Sequence, residues 1–222
     1  LADLGRYLGS ESTFYRVLKA GGDASKVVFA GVGKTREEMR RAIRAGIFLF
    51  NIESLPEAEA LSQVATKLGR DVRVAVRINP DVSPDTHHYI TTGKKETKFG
   101  LPIDRAVDVF RSISRMEHLI PVGVHCHIGS QITEVDPYKE TLEKIAPLIS
   151  RLREEGFDIR YFNLGGGLGI IYKEEAPSTA ARFAEIVLPM IKPMNVELLM
   201  EPGRFVVGNA GVLLTRVLYI KE

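Results

Sequence analysis

Tryptophan is absent from the 222 residues, and cysteine occurs once, as Cys126. A single cysteine excludes an intrachain disulfide, leaves stability to a packed core, and suits a reducing compartment such as the cytoplasm. No apolar run approaches the ~20 residues of a membrane span. An excess of one charge is missing too. The 30 Lys and Arg are interleaved with 28 Asp and Glu, leaving a formal charge of +2 and no basic stripe for nucleic acid. The opening "LADLGRYLGS" has neither a signal-peptide pattern nor an initiator Met, and it reads as a chain already under way. What is present is ordinary globular material, 45% hydrophobic and 26% charged, enough for one substantial core.

From about residue 26 a unit repeats: a β-branched or aromatic run, a polar or glycine-rich turn, then an amphipathic helix. "KVVFAGVG" is the first run. Thr35 can cap the following helix, Glu38 is its capping-box partner, Met39, Ala42 and Ile43 form the apolar stripe, and Gly46 is the stop. "IFLFNIES" repeats the plan, with Ser54 and Glu57 as the box, Pro56 in the first turn, and Leu61, Val64, Ala65 and Leu68 as the stripe. Further strands are predicted at "VRVAVRINP", "VGVHCHIG", "IRYFNLGGG" and "VELLMEPG", with helices at "RAVDVFRSISRM", "PYKETLEKIAPLISRLREEG" and "TAARFAEIVLPMI". The polar stretch "DVSPDTHHYITTGKKETKFG" is too long for an ordinary connection and reads as disorder or an active-site lid. The first 25 residues offer one helix, roughly Thr13 to Ala20, after a poor strand candidate, "RYLG".

Six such alternations mean an α/β fold with a parallel sheet, either doubly wound or closed into a (β/α)8 barrel. The barrel is preferred. Asn51, Ile52, Glu53, Arg77, His127, Gly165 to Gly167 and Glu201 to Arg204 fall at the C-terminal ends of successive strands, which a barrel gathers on one rim. A doubly wound sheet would concentrate them at its switch point. Residues 1–208 are therefore expected to form a partial (β/α)8 barrel lacking its first strand and initial helix. Beyond Glu201, "VLLTRVLYIKE" is strand-like with no helix after it, so residues 209–222 are expected to begin a further β domain.

In "VHCHIGSQ" a period of two places His125 and His127 on one face of a strand and Cys126 on the other. Two ligands from one strand need a third; Cys126 points away, and His87 and His88 lie in the long loop, so the metal reading fails. A flat ring over a flat ligand fits better. His127 would be nearest the rim beside Gly129 and Ser130, with His125 a layer deeper as a hydrogen-bonded structural residue. "NLGGGLGI" sets three glycines beyond a strand, able either to turn N–H groups toward a phosphate or simply to make a tight turn. It contains neither GxGxxG nor GK[ST]. "EPGR" adds the Glu201 carboxylate, the Gly203 amide and the Arg204 guanidinium at the next strand end; alone, either charge would read as a solvated salt bridge.

A phosphate-bearing aromatic ring with an imidazole on its face and a carboxylate at its ring nitrogen is the description of pyridoxal phosphate. The chain resembles the barrel domain of the diaminopimelate decarboxylase family, in the fold group that also holds ornithine and arginine decarboxylases and alanine racemase. The resemblance rests on "VVFAGVGKTREEM", "FNIES", "VRINPDV", "THHYITTG", "KFG", "VHCHIGSQIT", "NLGGGLGI" and "EPGRFVVGNAGVLL", over roughly residues 14 to 222. It implies pyridoxal 5'-phosphate as cofactor, His127 stacked on the ring, and Gly167, Gly203 and Ser130 on the phosphate. It further implies Glu201 on the ring nitrogen, Arg204 near the substrate carboxylate, and Lys98 facing the partner of a head-to-tail homodimer. The implied reaction of the full-length parent converts meso-diaminopimelate to L-lysine and CO2. Relatives acting on ornithine, arginine or carboxynorspermidine are the alternatives, as is an inactive homologue that binds a ligand or a partner protein.

There are departures from the family. Its cofactor-linking lysine lies in a Tyr-Ala-Val-Lys-Ala-Asn-like motif on the first strand, and this sequence has no such motif. Lys34 of "GVGKT" begins a helix at another strand and is a poor substitute. Tyr7 and Thr13 stand where the family has acidic residues, and the family's second domain, with its Cys and Tyr, is not expected within these 222 residues. By itself the chain is expected to hold a cofactor cradle without the nucleophile.

Overall fold

A computed structural model describes residues 6–8, 11–82, 99–212 and 214–221. Its strands are β1 Arg6–Leu8, β2 Val27–Phe29, β3 Leu49–Ile52, β4 Val72–Asn79, β5 Leu101–Pro102, β6 Leu119–His125, β7 Tyr161–Gly166 and β8 Glu197–Glu201. Its helices are α1 Glu11–Lys19, α2 Arg36–Ala45, α3 Leu55–Leu68, α4 Ala106–Ser114, α5 Asp136–Glu154, α6 Ala180–Ile191 and the single turn α7 Arg204–Val207. The sheet runs β1-β2-β3-β4-β6-β7-β8, parallel throughout, with short β5 beside the end of β4. The poor candidate "RYLG" is a strand after all. Arg6 to Leu8 pair with Val27 to Phe29, so β2 supplies the order that β1 lacks in its own sequence.

The sheet is curled. Phe48, at the foot of β3, meets Tyr161 of β7 edge-on with ring centroids 5.0 Å apart, although β4 and β6 lie between them. A floor of Val28, Leu49, Ala75 and Val122, packed with Phe48, Tyr161 and Leu199, fills the inside of the curl. The strand period then sets what lies above this floor. Two residues beyond Leu49, Ala75, Tyr161 and Leu199 come Asn51, Arg77, Asn163 and Glu201, so the interior turns from apolar to polar toward the C-terminal strand ends. The opposite face, including Phe29, Phe50, Val76, Val124, Cys126 and Phe162, is buried in the core shared with the helices.

The helix limits follow the caps. Thr35 accepts from Glu38 N–H while the Glu38 carboxylate accepts from Thr35 N–H at 2.7 Å, and Gly46 closes α2 at φ 70°. At α3, Ser54 accepts from Glu57 N–H, but the Glu57 carboxylate does not return to Ser54. It accepts from Glu53 N–H at 2.8 Å and from Lys34 Nζ at 2.5 Å instead. A buried ammonium needs a counter-charge more than a helix end needs a second cap. Residues 214–221 join no strand, and Leu214, Val217, Leu218, Tyr219 and Ile220 are exposed. Among the described residues no helix is long and apolar enough to cross a membrane.

Candidate active site

Glu201 ends β8 on the inner face of the curl. Asn163, on the adjacent strand and fully buried, donates Nδ2–H to Glu201 Oε1 at 2.9 Å and accepts Gly165 N–H on Oδ1 at 2.9 Å. His125, a layer deeper, brings Nε2 to 3.2 Å from the same carboxylate oxygen. It is not the satisfied residue expected from the sequence. Neither of its ring nitrogens has an aligned hydrogen bond, and neither does the buried Asn51 amide. Unpartnered polar atoms inside a core mark a place where a further group belongs. Burial by itself would raise the Glu201 carboxyl, but the His125 and His127 imidazoles and the Asn163 bond outweigh it and hold the group at about 2.

His127 stands nearer the rim. Its Nδ1 accepts Gly166 N–H at 3.0 Å, so the neutral ring carries its proton on Nε2. Burial pushes its pKa from 6.5 down to about 4, with Glu201 and Glu53 opposing and Arg77 and His125 assisting. The unfolded chain binds its proton near 6.5 and the folded one only near 4, so stability must fall as pH falls through that window. Thermal midpoints measured from about pH 7 to 4 are expected to drop, less steeply in His127→Gln. Cys126 lies on the other face, fully buried, and burial pushes its thiol well above the ordinary range.

The three glycines form an arc that side chains could not enter. A Cβ at Gly165 would lie 2.3 Å from Cys126 O, at Gly166 1.9 Å from Glu201 O, and at Gly167 2.5 Å from Gly129 O. Buried Tyr138 of α5 donates to Gly166 O at 2.9 Å, and Ile132 N–H donates to Gly167 O at 2.7 Å. Gly167 also has φ 96°, so Gly167→Ala meets both strain and a backbone oxygen. It is expected to cost about 1–3 kcal/mol in chemical unfolding.

Arg204 crosses from the end of β8, after Gly203 at φ 45°, to the loop after β6. Its Nη2 donates to Ser130 Oγ, and its Nη1 donates to Gln131 Oε1 at 3.3 Å and Tyr172 Oη at 3.1 Å. The structure thus gathers His127, Ser130, Gly167, Glu201, Gly203 and Arg204 around the ends of β6, β7 and β8. Lys98, His87 and His88 lie outside the described residues, and Tyr7 and Thr13 are placed by backbone alone, in β1 and α1. Among the described residues no three His, Cys, Asp or Glu side chains come together as a metal site.

Lys34 is closed off from this rim. Its side chain is 1% exposed, and Nζ donates to Gly31 O at 2.6 Å, Asn51 O at 2.7 Å and Glu57 Oε1 at 2.5 Å. Nearby, Arg77 Nη1 meets both Glu53 oxygens at 2.8 Å and its guanidinium lies 4.9 Å from the Phe99 ring centroid. Asn163 and Gln131 were not singled out from the sequence. The signals were present: Asn163 has the inward parity of Gly165, and Gln131 ends the "HIGSQ" stretch.

An incomplete α/β barrel with a polar site at the C-terminal ends of its strands is the class this geometry defines. Residues 1–208 match the family "Pyridoxal-dependent decarboxylase, pyridoxal binding domain", and the chain belongs to that family. It is 48% identical to the diaminopimelate decarboxylase of Pseudomonas aeruginosa over 96% of this chain and 51% of that protein. The Aquifex aeolicus diaminopimelate decarboxylase is 43% identical, with the same two coverages. The crystal structure of Helicobacter pylori diaminopimelate decarboxylase complexed with L-lysine superposes with a TM-score of 0.87 and 36% identity, over 91% of this chain and 51% of that one. A lysine decarboxylase from Selenomonas ruminantium, 21% identical with a TM-score of 0.78, shares the fold. The chain spans about half the length of the curated relatives it matches.

Proposed function

We propose that this chain is the cofactor-binding part of a cytoplasmic, pyridoxal-phosphate-dependent carboxy-lyase that converts meso-diaminopimelate to L-lysine and CO2, the last step of lysine biosynthesis. One observation carries the reading: at the C-terminal strand ends the Glu201 carboxylate, held by Asn163, stands with the His127 imidazole, whose Nδ1 accepts from Gly166 N–H, against an arc of glycines. These residues fit the cofactor. The arc packs so closely that any Cβ would strike the backbone oxygens of Cys126, Glu201 or Gly129, which fixes its turn beside Glu201, and the buried Asn51 amide, without a hydrogen-bond partner, marks a polar interior where a further group belongs. Pyridoxal phosphate, when bound, supplies a protonated ring that takes up the electron pair released with CO2. Glu201, ionised, would hold a proton at the ring nitrogen. His127, uncharged, would stack on the ring without competing for that proton. Ser130, Gly167 and Gly203 would hold the phosphate, and Arg204 would receive an anionic group of the substrate.

The named relatives support the substrate, since curated proteins 41–48% identical to this chain are diaminopimelate decarboxylases. In this reading the full-length protein is a homodimer with Lys98 toward the partner, and residues 209–222 lead into a β domain. The test is release of CO2 from meso-diaminopimelate by the intact gene product, with ornithine, arginine and lysine as rival substrates. Rapid turnover of a rival with none of diaminopimelate would overturn it.

A further inference from the structure

Gln131 has φ 58°, a left-handed backbone that non-glycine residues occupy at a cost. Its side chain accounts for that conformation. Nε2 donates to Ile170 O at 2.6 Å, while Oε1 accepts Ile170 N–H at 3.1 Å and Arg204 Nη1 at 3.3 Å. The amide therefore docks on a backbone unit as a strand would, tying the loop after β6 to the loop after β7, and it keeps one acceptor edge for the guanidinium. The other partners of Arg204 are the Ser130 and Tyr172 hydroxyls, with the Tyr172 ring centroid 5.8 Å from Cζ. All are neutral. Arg204 has no carboxylate partner among the described residues, whereas Arg77, at the same end of the barrel, is matched by Glu53. A cation fixed at a rim by neutral oxygens is poised for an anion from outside.

We propose that Gln131 is a positioning residue: from its strained backbone it presents the Arg204 guanidinium to the carboxylate of the amino-acid substrate. The inference rests on the function proposed above and adds the group that sets the direction of Arg204. Gln131→Gly separates stability from positioning, because glycine relieves the φ strain while removing the amide.

In the full-length, cofactor-loaded protein, the dissociation constant of L-lysine is measured by calorimetry for wild type, Gln131→Gly, Arg204→Ala and the double variant. Gln131→Gly is expected to weaken L-lysine about tenfold, the scale of one hydrogen bond to a charged group. Its thermal midpoint without ligand should stay close to wild type, and it should bring no further loss in the Arg204→Ala background. An equal loss in both backgrounds, or no loss in either, overturns the proposal. So does a midpoint that falls as far as the affinity requires, since the residue would then be structural. Wild type that binds no L-lysine and releases no CO2 from diaminopimelate overturns the functional reading itself, and this inference with it.

Discussion

Lys34→Met is expected to lower the thermal midpoint of this chain by on the order of 10 °C, the equivalent of about 3–5 kcal/mol. The side chain is 1% exposed and joins three elements: the turn after β2 through Gly31 O, β3 through Asn51 O, and α3 through Glu57. Methionine fills the volume but leaves the Glu57 carboxylate, 9% exposed, without its cation. Adding Glu57→Leu should recover much of the loss, because an apolar pair of similar size is tolerated where a broken ion pair is not. The same contacts keep the amine from covalent chemistry. Incubation with pyridoxal phosphate and reduction with borohydride should leave Lys34 unmodified by mass spectrometry. An adduct there, with diaminopimelate turnover, would overturn this account of the residue.

In the full-length protein, Glu201→Gln is expected to lower kcat about 10²–10³-fold with little change in fold. Glutamine keeps an oxygen for Asn163 Nδ2–H, so the bridge between β7 and β8 survives and only the charge is lost. The sign of the pH effect follows from the depressed value. The carboxylate contributes stability above its ordinary 4.5, and that contribution is lost as pH falls toward about 2. Chemical unfolding of Glu201→Gln should therefore lose less stability across that acid window than wild type does. An activity close to wild type at neutral pH would remove Glu201 from the chemistry.

The repeat of strand and helix was legible because it is written in two periods and in the caps at Thr35, Ser54 and Gly46. The rim was legible because chemistry-bearing residues followed one strand after another. Three things were not legible, each for a physical reason. Strand β1 depends on pairing with β2, and pairing is not a property of three residues read alone. The diversion of Glu57 from its cap to Lys34 depends on a contact between residues 23 positions apart. The roles of Gln131 and Asn163 depend on which way an amide turns once two loops or two strands meet. Sequence marks where a polar residue stands along a strand; it leaves open which neighbour will claim it.

Cys126 makes the protein its own clock. The only thiol in the chain is sealed between sheet and helices, between two histidines that face the other way. A thiol reagent can reach it only when that layer parts, so the labelling rate counts opening events rather than local reactivity. No engineered cysteine is needed to follow them. A ligand bound at the mouth should slow the clock in proportion to its occupancy, because His125 and His127 hold the inner side of the same strand segment.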